Sequence, residues 1–161
     1  METIATGLIG TVILSKTTSV VTSIGCDLII NTITTTTSSI CSIIKSVIIY
    51  DIPGIEKVTQ ILKDTDLEFT INIIEELVKE QNGKNLNDSI KKALFGVNEI
   101  LELIHGELTS IKKAIDYHNS LYLNSWRSFY YDYSKLDLMK QNEKILKHRY
   151  QMFLDLLKIY T

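Results

Sequence analysis

An all-α fold is predicted by three features of this 161-residue chain: apolar residues recurring at alternating spacings of three and four, a single proline, and only seven glycines. The longest recurrence sets the architecture. Ile90, Leu94, Val97, Leu101, Ile104, Leu108, Ile111 and Ile115, then His118 and Tyr122, form a heptad seam. Asn85 to Asp88 supplies caps, so a helix is expected from about Asn87 to Asn124, roughly 57 Å long at 1.5 Å per residue. Gly96 and Gly106 lie off the seam, and each weakens the helix by up to about 1 kcal/mol relative to Ala. Packing must therefore hold it.

A second seam, Met139, Glu143, Leu146, Tyr150, Phe153, Leu157 and Tyr160, predicts a last helix capped by Ser134. The short connection favours an antiparallel hairpin with the long helix. The last helix is only about 40 Å long, which leaves roughly 18 Å of the longer seam near Ile90 to Leu101 uncovered. A shorter helix is expected to cover it. Thr65 and Glu68 have capping-box spacing and open a segment to about Glu80, with Phe69, Ile73, Ile74, Leu77 and Val78 inward, ended by Asn82 and Gly83.

Residues 1–51 read as a separate Thr/Ser-rich apolar segment and 52–161 as the bundle. Asp51, Ile52, Pro53, Gly54 is turn chemistry at the boundary, with Pro53 expected to open a segment running to about Lys63. Between Ile4 and Tyr50 the apolar positions Ile9, Ile13, Val20, Ile24, Leu28, then Ile30, Ile33, Ile40, Ile44 and Val47, have helical spacing, with a break expected near Gly25 to Asp27. Thr34 to Thr37 opposes this, because consecutive β-branched residues lose χ1 freedom in a helix. Three fates compete for the segment. It packs as a Thr-rich helix on the bundle or on other copies, its hydroxyls bonding back to the backbone. Alternatively Leu28 to Tyr50 inserts in a membrane, or the segment lies on a membrane surface. Asn31, Lys45 and the hydroxyl content disfavour insertion, and the scarcity of cations disfavours surface binding.

Net charge is −2, with an acidic middle and a slightly basic C-terminal part, which argues against a protein built to neutralise phosphates. Cys26 and Cys41 are about 22 Å apart if one helix carries both, beyond disulfide reach, which suits a reducing cytoplasm. Met1, Glu2, Thr3 gives neither a positive n-region nor a myristoylation site, so export is not expected. Peripheral membrane association through residues 1–50 is the competing location.

Little in the chain points to chemistry. Glu102 and His105 have the Glu-x-x-His spacing of di-iron bundles, but no second copy exists, and a solvated helix face is the simpler reading. His118 near a helix end is expected to meet Tyr150, Tyr117 or a backbone carbonyl. No nucleophile motif, phosphate loop or Cys/His cluster appears, so a non-enzymatic protein without cofactor is predicted. The aromatic connection carries more weight. Tyr122, Trp126, Phe129, Tyr130, Tyr131 and Tyr133 accompany Arg127, Lys147 and Arg149. Such a group plugs the end of a hairpin, anchors a protein interface, or stacks on single-stranded nucleic acid, in that order of expectation.

Asp116, Tyr117, His118, Asn119, Ser120, followed by Ser125, Trp126, Arg127 and a Lys-rich terminal helix, resembles uncharacterised small helical proteins of mimivirus-type giant viruses. The Ile, Lys and Asn bias is similar to that of products of AT-rich genomes. The resemblance implies a viral origin, hence a host cell or virion, and no activity. The expectation is a structural or interaction module that self-associates through helices, its partner a second copy or another helical protein. Candidate contact residues are Trp126, Arg127, Phe129, Tyr130, Tyr131 and Tyr133 at the turn, with Ile33, Ile40 and Ile44 in the N-terminal segment. A membrane adaptor anchored by residues 1–50 is the alternative.

Overall fold

The computed structural model describes residues 25–160. Among the described residues five α-helices follow one another: α1 Cys26–Ile48, α2 Glu56–Asp64, α3 Leu67–Lys79, α4 Asp88–Ser120 and α5 Tyr133–Tyr160, with one 3-10 turn at Asn124–Trp126. No strand occurs among the described residues. The helical spacing between Ile4 and Ile24 lies outside them.

Thr34 to Thr37 is helical, because its hydroxyls find acceptors in two directions. Thr32 and Thr35 donate back to the carbonyls of Leu28 and Asn31 at 2.8 and 2.9 Å. Thr36 donates outward to Glu102 of α4 at 2.7 Å, and Thr37 to Glu75 of α3 at 2.8 Å. Ser39 meets His105 Nε2 at 2.8 Å, and Tyr50 donates to Asp116 at 3.3 Å. Thr36, Ser39 and Tyr50 each pair with the residue 66 positions on, so α1 and α4 run parallel. On its other side Thr37, Cys41 and Lys45 meet Glu75, Asn72 and Glu68, so α3 runs antiparallel to α1. Asn142 donates to Glu107 and Arg149 to the Gly96 carbonyl, which places α5 along α4 in the opposite sense. The helices α2 and α3 also touch α5.

One continuous core results. Ile33, Ile40, Ile44, Ile71, Ile74, Leu94, Leu101, Ile104, Met139, Leu146 and Phe153 are all buried in it. Every residue of the long seam is buried as far as His118, whereas Tyr122 lies beyond the helix and is exposed.

Several expectations change. The seam of α4 is covered on its free side by α1, not by the shorter α3. The physical reason is that α1 buries two faces at once, one on α4 and one on α3. Residues 26–51 are consequently part of the bundle and not a segment set apart from 52–161. The buried stripe of α3 is Leu67, Ile71, Ile74 and Val78, while Phe69 is exposed. Pro53 stands in the turn ahead of α2, which starts at Glu56. Thr65 does not form a capping box: its hydroxyl bonds to the Ile61 carbonyl, finishing α2, and Asp66 in the left-handed region opens α3. Asn87 does cap α4, accepting from Ile90 N at 2.9 Å. The start of α5 is capped by Asp132, which accepts from Ser134 N, and not by Ser134 itself.

No helix among the described residues is long and apolar enough to cross a membrane. Both thiols are free and share α1.

The Thr37 contact yields a pH-dependent test. Burial pushes the Glu75 carboxyl up, but hydrogen bonds from Lys79 and Thr37 outweigh it and hold the carboxyl below its ordinary range. A carboxylate lowered on folding stabilises the protein above its unfolded value of about 4.3 and ceases to do so as pH falls through the folded value. Thr37→Val keeps the shape and removes one bond to a charged acceptor, so urea unfolding at pH 7 is expected to show a loss of about 1.5 kcal/mol. The loss should shrink below pH 4, and a pH-independent loss would contradict the assignment.

Candidate interaction surface

The surface forms where α4 stops. Leu121 turns extended and Leu123 takes a left-handed conformation at φ 59°, which ends the helix at Ser120 and throws the chain into the 3-10 turn. An extended run then carries Phe129 back onto the turn between α1 and α2. Phe129 N donates to the Pro53 carbonyl at 2.5 Å. Gly54, at φ 91°, lets the backbones close, since a Cβ there would sit 2.3 Å from the Phe129 carbonyl oxygen.

The aromatic residues divide into two groups. Phe129 is buried, with the His118 ring edge-on to it at 5.8 Å and Tyr131 stacked at 6.4 Å. These three plug the end of the α4–α5 pair. Tyr133 packs edge-on with Tyr130 and carries Lys57 Nζ 3.3 Å over its ring. By contrast Trp126 is 87% exposed, Tyr122 86% and Tyr130 75%. Tyr117 and Leu123 are also exposed at this end. Together they make an exposed apolar group at this end of the bundle.

The predicted contact residues thus separate. Trp126, Arg127, Tyr130 and Tyr133 are exposed, Tyr131 is half-buried, and Phe129 belongs to the plug. Ile33, Ile40 and Ile44 are buried between α1 and its neighbours, which removes them as a partner surface. Lys147 and Arg149 are not at the turn. Lys147 pairs with Glu143 on its own helix, and Arg149 bonds the Gly96 carbonyl and Glu99. Arg149 lies about 24 Å along α5 from Tyr133. The nucleic-acid reading loses two of its three cations there. His118 meets Phe129 and not Tyr150.

Glu102 and His105 face α1 hydroxyls. No group of three or more His, Cys, Asp or Glu that could hold a metal occurs among the described residues.

Sequence reading missed three features. Tyr117, off the seam on the last turn of α4, and Leu123, beyond a helix that ends four residues earlier than its apolar pattern implied, join the exposed group. Glu107 is half-buried: Asn142 donates to its Oε1 at 2.7 Å, and Oε2 has no hydrogen-bond partner. Burial pushes its carboxyl up against the lowering effect of Asn142. The third is a groove at the other end of the α4–α5 pair, between Lys92 and Met152.

The chain is similar to a giant-virus protein. Over 67 residues it is 40% identical to the uncharacterised protein L717 of Acanthamoeba polyphaga mimivirus, a stretch covering 42% of this chain and 31% of that protein. The match thus spans under a third of the relative's length. No family model and no solved structure matches the chain. The resemblance read from the residues is shown by this match, and the relative's printed name adds no activity to it.

Two substitutions test the local physics. Gly54→Ala is expected to lower stability by about 2 kcal/mol or more in urea unfolding, since a side chain meets both an unfavourable φ and a backbone oxygen. An unchanged midpoint would mean that the turn does not hold Phe129. Glu107→Gln is expected to raise stability modestly at pH 7. A carboxyl raised on folding favours the protein only while protonated, and the benefit is lost as pH rises through the folded value. The gain should therefore vanish near pH 4; equal gains at both pH values would point to packing instead.

Proposed function

We propose that this chain is a non-enzymatic helical module that self-associates, with the antiparallel pair α4 and α5 as its spine and the aromatic end of that pair as its contact surface. The observation that carries this reading is the exposure of Trp126, Tyr122 and Tyr130 beside a rigid plug. Large aromatic side chains supply contact area at low entropic cost, and Trp and Tyr dominate interface hot spots. A mostly exposed aromatic group of this kind offers about 150–250 Å² per ring. Four such rings, Tyr117, Tyr122, Trp126 and Tyr130, with Leu123 present on the order of 700 Å², near the about 800 Å² that each partner of a standard interface buries.

The plug explains why these side chains are presented and not collapsed. Phe129 is tied to Pro53, so the chain on either side of it is held with Trp126 and Tyr130 outward. A viral origin, implied by the relative, fits a small assembly component of a virion or an infected cell. Association through a membrane anchor at residues 1–50 is disfavoured, because residues 26–48 turn their apolar side to α3 and α4.

Trp126 is the single tryptophan, so its fluorescence reads this surface alone. Diluting the purified chain from tens of micromolar is expected to shift Trp126 emission to the red as the mass measured by light scattering falls to that of a monomer. Trp126→Ala combined with Tyr130→Ala should leave a folded monomer at all concentrations. A wild-type chain that is monomeric throughout would overturn the proposal.

A further inference from the structure

The end of the molecule opposite the aromatic turn carries a groove between the first turns of α4 and the last turns of α5. Lys92, Ala93, Gly96, Arg149, Met152 and Leu156 line a space of about 370 Å³. That is near the lower end of the about 300–1,000 Å³ of small-molecule pockets. Gly96 leaves its floor open: a Cβ there would make only ordinary contact with the Arg149 side chain at 3.8 Å. Met152 is exposed. The walls are apolar, the rim is cationic, and no acid lines the groove. Arg149 is held in place by the Gly96 carbonyl at 2.5 Å and by Glu99 at 3.1 Å.

This chemistry matches the aromatic end. Residues 117–131 carry one formal charge, Arg127, and present the faces of Trp126, Tyr122 and Tyr130. Aromatic faces attract Lys and Arg cations, and Arg in particular stacks on them. The groove and the aromatic end lie about 40 Å apart along α4, at opposite ends of one spine. We infer that copies of this chain join head to tail, Trp126 of one copy seated in the Lys92–Met152 groove of the next. The inference rests on the self-association proposed above and specifies its geometry. Pairing two aromatic ends would leave the groove open, whereas the head-to-tail contact fills both. Because the two surfaces differ, such a contact does not close on itself by two-fold symmetry, and chains of copies or rings follow.

Two complementary variants test this in the full chain. Trp126→Ala removes the knob, keeps the groove and contains no tryptophan. Met152→Glu keeps the knob and puts an anion among the rim cations at an exposed position. Each alone is expected to associate at least tenfold more weakly than the wild type, with far-UV circular dichroism unchanged. Mixed, they should form one intact contact: titrating Trp126→Ala into Met152→Glu shifts the emission of the single remaining tryptophan species to the blue and yields a particle of two chains. Gly96→Leu, which fills the groove floor within a helix, stands in should Met152→Glu misfold. A mixture showing no shift, while the wild type associates, overturns the head-to-tail geometry and leaves self-association standing. Unweakened association of Met152→Glu or Gly96→Leu shows that the groove is not the contact and also overturns it. A wild-type chain that stays monomeric removes both readings.

Discussion

The structure depends on α1 being buried from two sides. A helix rich in threonine has a weak claim to exist alone, since its β-branched residues lose side-chain freedom and its hydroxyls compete for backbone acceptors. Here the hydroxyls become the contacts. Thr36 and Ser39 meet Glu102 and His105 on α4, while Thr37 meets Glu75 on α3. Bonds to a charged acceptor are stronger than neutral ones, and these fix the register of α1 against both neighbours. Between them Ile33, Ile40 and Ile44 fill the core. The order of the other helices follows: α4 lies parallel to α1, α3 antiparallel, and α5 completes the cover of α4.

Register at one end then controls the other. Because α1 runs parallel to α4, its last residues arrive beside the last turns of α4, where Tyr50 reaches Asp116. The turn that follows can therefore receive Phe129. Its contact with Pro53, made room for by Gly54, closes the end of the bundle and anchors the connection between α4 and α5. The outward rings of Trp126 and Tyr130 are thus a consequence of where α1 ends. Stability at that turn and presentation of the surface are the same physical problem.

The bundle as a whole resembles a rod with two unlike ends. Its middle has few features that suggest chemistry, with carboxylates such as Glu75 and Glu102 engaged by hydroxyls and Lys79. Its ends differ: one presents Trp126, Tyr122 and Tyr130, the other a groove rimmed by Lys92 and Arg149.

The sequence by itself determined the helices that have strong periodic seams, α4 and α5, the Asn87 cap, and the aromatic character of the turn. These are local properties: a 3.6-residue period, a side chain reaching three residues along, a cluster of rings in one short stretch. Tertiary structure decided what covers what. Whether Ile33 and Ile44 face a partner or a core cannot be read from their spacing, because the same stripe serves either. Whether Thr65 or Asp66 opens α3, and Ser134 or Asp132 caps α5, depends on where the preceding chain must turn. The division of the aromatics into plug and surface had no local signal, since it is set by the approach of Pro53 and Gly54, about 75 positions away in the chain, and distant contacts leave no period in a sequence.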